Sequence, residues 1–230
     1  MSGATAGRLA PRVAASPLRD RLVDGVRALG LDVADPQLAA LLDYLDLLVR
    51  WNRVYNLTAI RDPMDMLTLH LLDSLAVLPL VRSIDPTTVL DVGTGPGLPG
   101  IPLAIQMART SFDLVDAVAK KVAFLQQART ALNLSNVQPH RARIEALTLA
   151  RKPDLIISRA YADLPTMLGS IEHLASGMTT VVAMKGAIPT EEIARTPAGW
   201  RVDEVVPLSV PGLGAQRCAV ILRRATQAGA

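Results

Sequence analysis

The chain has 230 residues, 24 Lys plus Arg against 21 Asp plus Glu, and 50% hydrophobic residues. That excludes a disordered tail or a collagen-like rod and provides enough chain for one or two packed domains. The single cysteine, Cys218, excludes an intramolecular disulfide framework and any Cys/His zinc cluster, and it fits a reducing compartment. A net charge of +3 does not by itself mark a nucleic-acid binder, and 3% aromatics argue against a platform that stacks a single strand.

Residues 1–19 carry Arg8, Arg12 and Arg19 with no acid, and are read as a flexible tail; a transit peptide can look similar. No run of eighteen apolar residues lacks charge, so no membrane span is expected. Residues 20–85 read as helix. A periodic segment from Leu18 to Leu29 ends at Gly30, and Leu38, Leu41, Leu42, Leu45 and Val49 mark one face of a second helix. Asp62-Pro63 announces a third helix, with Leu67, Leu71, Leu75 and Leu78 on it and its end at Pro79.

After Pro86 short β-branched runs alternate with helical stretches. Strands are expected at 88–92, 112–116, 136–140, 154–158 and 179–184, with two closing strands at 202–208 and 218–222. Strand–helix alternation argues for a parallel sheet covered on both faces, and the last two strands, lacking a helix between them, for an antiparallel edge. The core domain is placed at 86–225, with a short tail at 226–230.

The most informative stretch is Asp91-Val92-Gly93-Thr94-Gly95-Pro96-Gly97-Leu98-Pro99-Gly100. Glycines between a strand and a helix permit positive φ and let a ligand approach the backbone. Gly95, Gly97 and Gly100 fit the dinucleotide spacing, while Gly93, Gly95 and Gly97 fit the spacing of S-adenosylmethionine sites. Asp91 before the loop would repel a pyrophosphate but can order the loop and accept hydrogen bonds near a methionine ammonium. Pro96 and Pro99 remove two N–H donors that would cradle a pyrophosphate. Asp116, closing the second strand, is placed to accept ribose hydroxyls, which either cofactor offers. Ile144 and Glu145, after the third strand, sit where an adenine would be flanked.

Together with Asn52-x-x-Tyr55-Asn56-Leu57-Thr58, Asp62-Pro63, His70-x-x-Asp73-Ser74 and Ser158-Arg159-Ala160, this loop resembles the bacterial small-subunit ribosomal RNA guanine-N7 methyltransferases, once called glucose-inhibited division protein B. The resemblance covers about residues 40–222. It implies a class I S-adenosylmethionine-dependent methyltransferase fold, Rossmann-like and seven-stranded, with an N-terminal helical extension. It also implies methyl transfer to N7 of guanosine 527 of 16S ribosomal RNA, by a cytoplasmic and monomeric enzyme acting on the small subunit or an assembly intermediate. By matching motif, cofactor contacts fall on Gly93, Leu98, Ile144, Glu145 and Arg159. Asn56 falls on a substrate-side loop, and Lys185 on the family's lysine-glycine strand end.

Guanine N7 attacks a sulfonium methyl with a lone pair already in place, so no strong general base is needed and positioning carries the catalysis. Arg159 is the leading functional side chain, orienting substrate or cofactor without sitting against N7, where its charge would oppose the cationic product. Lys185 is the second catalytic candidate and, with His70 and Asn56, a candidate substrate contact, Lys185 for a phosphate; His70 and Asp73, three apart on a helix, form a pair able to hydrogen-bond. Cys218 reads as a core thiol on a late edge strand, far in sequence from any loop at the strand carboxyl ends. No metal is expected. A nicotinamide-dependent oxidoreductase and a non-catalytic adenosine-binding module are the alternatives. The charge is partitioned: 119–159 hold eight basic residues against two acids, and this stretch is where phosphate contacts are expected.

Overall fold

The structure, a computed structural model, describes residues 17–225. The tail readings for 1–16 and 226–230 lie outside the described residues, but Pro17–Arg19 already belong to helix α1 (Pro17–Ala28). Gly30 closes that helix with φ +67, and α2 (Asp35–Tyr55) follows.

Asp62 begins the third helical stretch as read, its carboxylate accepting from the amides of Met64 and Asp65. The stretch is not uniform. α3 (Pro63–Met66) passes into a π-helical turn (Leu67–Leu72) and then α4 (Asp73–Leu75). Pro79 does not end it: it lies in the first turn of α5 (Leu78–Ile84), where its missing N–H is no loss. By length and composition Pro63–Ile84 could cross a bilayer, but Leu67, Leu71, Leu75, Leu78 and Val81 are fully buried within the protein.

Seven strands form one sheet: β1 (Thr88–Val92), β2 (Ser111–Asp116), β3 (Val137–Arg141), β4 (Leu155–Arg159), β5 (Thr180–Lys185), β6 (Trp200–Pro207) and β7 (Cys218–Arg224). Their order is β3-β2-β1-β4-β5-β7-β6. The first five are parallel, while β7 runs antiparallel to both of its neighbours. The order reverses between β1 and β4, so the glycine loop after β1 stands at the topological switch point, where open α/β sheets bind ligands. Asp154 fixes the opposite end of that strand pair, its Oδ2 accepting from the amides of Thr87 (2.8 Å) and Thr88 (3.0 Å).

Strand periodicity divides the core. Leu90, Val92, Ile156 and Val181 face one side, packed with Leu164, Leu168 and Ile171 of α8 (Leu164–Ile171). Val89, Leu155, Ile157 and Val182 face the other, in one apolar cluster with Leu22, Leu41, Leu45, Leu71 and Leu75. The extension at 20–85 and the sheet thus share a core. α6 (Gly100–Gln106) and α7 (Ala119–Ala131) complete this layer.

Candidate active site

Side chains alternate along β1, so Asp91 points to the same face as Val89, under α6. It is fully buried. Its Oδ2 accepts from Thr94 Oγ1 (2.6 Å) and from the Gly100 amide (2.8 Å), tying both ends of the glycine loop to the strand. Burial raises its pKa to about 6 against these two hydrogen bonds. A Cβ on Gly100 would meet Asp91 Oδ2 at 2.7 Å, so this approach requires glycine. Gly93 has φ +65, and a Cβ there would lie 2.5 Å from Tyr161. The loop is also held from outside, as buried Tyr44 of α2 donates its hydroxyl to the Pro96 carbonyl at 2.8 Å.

Two cavities flank the loop and share Gly93, Lys121 and Ala160. The smaller, about 340 Å³, is lined by Asp116, Ala117, Arg143, Ile144, Glu145 and Tyr161. Asp116 Oδ2 accepts from the Gly95 amide (3.1 Å) and Lys121 Nζ (3.2 Å), and Oδ1 from the Val118 amide (2.8 Å). Oδ1 therefore keeps a lone pair for a ligand hydroxyl, and Lys121 is a displaceable partner.

The larger cavity, about 560 Å³, is lined by Gly95, Leu98, Thr58, His70, Asp73, Arg159, Lys185 and Arg217, among others. Asp73, 3% exposed, is the hub. Its Oδ2 accepts from Arg159 Nη1 (2.6 Å) and its Oδ1 from Arg217 Nε (2.8 Å). Arg159 Nη1 also donates to the Leu69 carbonyl at 2.9 Å. The π turn makes that acceptor available: the Asp73 amide bonds to the Thr68 and His70 carbonyls and passes over that of Leu69. Lys185 Nζ donates to the Ala162 carbonyl (2.8 Å) and Glu192 (2.7 Å).

His70 and Asp73 do not form the pair their spacing suggested. His70 Nε2 instead meets Thr58 Oγ1 at 3.0 Å. Burial, with Arg159 nearby, lowers its pKa to about 4. Asn52, also buried, explains the Asn-x-x-Tyr-Asn-Leu-Thr block: it accepts from the Thr58 amide (2.8 Å) and donates to the Ile60 carbonyl (2.9 Å), closing the loop that carries Thr58 to His70. Asn56 itself caps α2 in the left-handed conformation (φ 48) and accepts from Arg61 at 3.1 Å, beside the cavity wall and not in it.

Two further readings are corrected. β6, not β7, is the edge strand, and antiparallel β7 starts at the carboxyl ends of the parallel strands, so Cys218 pairs with Lys185 there while staying buried. The basic stretch at 119–159 also divides in space. Lys121, Arg143 and Arg159 line the cavities. Arg129 lies in the last turn of α7, and Arg151 and Lys152 precede β4, toward the other end of the sheet. Asn52, Thr58, Tyr161 and Arg217 complete the site and were not singled out from sequence; the conjunction of Asn52 and Thr58 in one motif was the available signal.

The strand order, with the loop at its switch point, defines a Rossmann-like class I methyltransferase fold. A SAM dependent methyltransferase from Aquifex aeolicus shares this fold at a TM-score of 0.52 and 18% identity, over 70% of this chain and 94% of its own. A ribosomal protein L11 methylase from Lactobacillus delbrueckii subsp. bulgaricus does so at 0.51 and 18%, over 65% and 76%. Residues 37–221 match the family described as rRNA small subunit methyltransferase G, and the chain belongs to it. A ribosomal RNA small subunit methyltransferase G of Ralstonia nicotianae is 51% identical over 210 residues, covering 89% of this chain and 94% of its own length. That of Azoarcus sp. is 46% identical over 209 residues, covering 91% and 98%. Membership sets aside the oxidoreductase and the non-catalytic module.

Proposed function

We propose that this chain methylates N7 of guanosine 527 in 16S ribosomal RNA, as a monomer in the cytoplasm, on the small subunit or an assembly intermediate. The methyl donor is S-adenosylmethionine, which supplies a sulfonium-activated methyl group. The smaller cavity fits its adenosine half: Asp116 has a free lone pair for a ribose hydroxyl, buried Ile144 gives an apolar surface for the ring, and Glu145 lies beside it. Asp91 lies beneath the loop and acts by ordering it, through Thr94 and Gly100, with Gly93, Gly95 and Leu98 lining the wall, while Gly97 faces Ile101 and Leu125 beneath it and not the cavity.

The observation that carries the reading is the chemistry of the larger cavity. It presents Arg159, Arg217, Lys121 and Lys185, and the only other titratable side chains among its described lining residues are Asp73 and His70. Asp73 is held by two guanidinium groups, and a histidine with a pKa near 4 is a weak base at neutral pH. Such a site suits a nucleophile that has no proton to lose, in an RNA whose phosphates the cations attract. Arg159, anchored on one side by Asp73 and the Leu69 carbonyl, orients the purine or its phosphate; Lys185 adds positive charge at the end of β5.

The test is methyl transfer from labelled S-adenosylmethionine to small ribosomal subunits lacking this modification. One methyl per subunit is expected, mapped by nuclease digestion and mass spectrometry to 7-methylguanosine at position 527. Label on an exocyclic amine, a ribose or another guanosine overturns the assignment. Arg159→Ala should lower turnover about 100-fold, as expected for loss of a positioning contact, a larger loss than the drop in thermal midpoint that follows from leaving Asp73 with Arg217 alone.

A further inference from the structure

The aromatic side chains, few as they are, are not scattered. Tyr44, Trp51 and Tyr55 recur at seven and four residues along α2, the spacing of one helical face. Phe124 of α7 joins them, with ring centroids 6.1 Å from Tyr44 and 5.6 Å from Trp51, and Trp51 lies 5.0 Å from Tyr55. Four rings therefore form one chain. Its inner end is buried Tyr44, bonded to the glycine loop. Its outer end is Tyr55, 45% exposed, supported on one side by Trp51.

The backbone next to that last ring is held by cations. Lys120 is exposed, and its Nζ donates to the Tyr55 carbonyl at 2.7 Å. Exposed Arg61 sits on Asn56, the next residue. Of the nearby acids, Asp62 is committed to the amides of α3, and Asp116 to the glycine loop and Lys121. The position adjoins the larger cavity, because Leu57 and Thr58 line it two and three residues further on. An exposed ring on an aromatic support, with a Lys on its own backbone carbonyl and an Arg on the next residue, is the combination that holds an unpaired base by its face and the adjoining phosphates by charge.

We propose that Tyr55 is the stacking platform for one unpaired RNA base beside the nucleotide in the larger cavity. Tyr44 and Phe124 are fully buried and Trp51 is half-buried beneath Tyr55, so the exposed aromatic surface suits one base and not a run of them. The proposal rests on RNA being the substrate.

The experiment measures binding of small ribosomal subunits and, in parallel, methyl transfer to them, for wild type, Tyr55→Phe and Tyr55→Leu. Leucine keeps apolar bulk without an aromatic face. Tyr55→Phe is expected within twofold of wild type in both assays. Tyr55→Leu is expected to weaken binding and raise KM about tenfold, with kcat, thermal midpoint and S-adenosylmethionine affinity unchanged. Wild-type behaviour of Tyr55→Leu would overturn the platform while leaving the functional reading intact. Binding that depends on the ring, without methyl transfer by wild type, would overturn the functional reading and support the platform. Absence of binding by the wild-type protein would remove both. Equal weakening by Phe and Leu would point to the hydroxyl and overturn stacking.

Discussion

The two cavities share three residues but are assembled by different means. The smaller is made at the ends of adjacent parallel strands. Asp116 ends β2 and Ala117 and Lys121 follow it, Arg143 to Glu145 follow β3, and Ala160 and Tyr161 follow β4. The larger draws on the loop after α2, the π turn and the ends of β4, β5 and β7, and Asp73 reaches partners 86 and 144 residues away. One half is thus set by backbone geometry at the sheet edge, and the other by an ion network that exists only once distant segments have packed. Substitutions should separate the two.

The largest effect is expected at Asp73. Asp73→Ala leaves two guanidinium groups facing each other without their carboxylate, which should lower unfolding free energy by about 3 kcal/mol and abolish methyl transfer. Calorimetry should still find S-adenosylmethionine affinity within about threefold; its loss would mean that the cavities are not independent. Gly93→Val is the converse. A branched residue at φ +65 against Tyr161 should weaken cofactor binding about 100-fold, or about 3 kcal/mol, through local backbone strain.

A third prediction sets one titrating group from each region against the other. Asp91 under the glycine loop has a folded pKa near 6, above its ordinary 3.8. The fold favours its protonated form, so its contribution to stability is present at low pH and is lost as pH rises through 6. His70 in the larger cavity has a folded pKa near 4, below its ordinary 6.5. Its contribution is present above 6.5 and is lost as pH falls through 4. At roughly 1.4 kcal/mol per unit, each is worth about 3 kcal/mol, and between pH 4 and 6 they oppose each other. Urea unfolding at pH 4.5 and pH 6 should show His70→Gln losing stability with rising pH relative to wild type, and Asp91→Asn gaining it. Slopes of the same sign in both variants would dismiss the assignment.

The smallest effect is expected at Lys121, which both cavities touch. Lys121→Met frees an Asp116 lone pair and removes a charge near a cationic cofactor. Binding should tighten about threefold, the size of a half-exposed ion pair, and a titration showing weaker binding would instead make Lys121 a cofactor contact.

The same division explains what was legible in the sequence. β1, β4 and β5 show as apolar, β-branched runs, and Asp91 and Gly93 at the end of β1 and Asp116 at the end of β2 stand out beside them, so much of the smaller cavity could be read from short-range pattern. Local spacing put His70 beside Asp73, whereas the fold turns His70 to Thr58 and Asp73 to two arginines. Nothing near residue 217 announces that antiparallel β7 starts beside the site and brings Arg217 into it. The basic stretch divides for the same reason: Lys121 and Arg129, at the two ends of α7, lie toward opposite ends of the sheet.

The π turn has a consequence for how this helix can change. A one-residue deletion within Leu67–Leu72 that restored a regular ladder would give the Leu69 carbonyl an amide partner within its own helix. The helix would gain a hydrogen bond, and Arg159 would lose an acceptor. Selection for rigidity alone would favour that repair, and selection for the reaction would oppose it. The irregular turn is therefore a place where a more stable protein is expected to be a poorer enzyme.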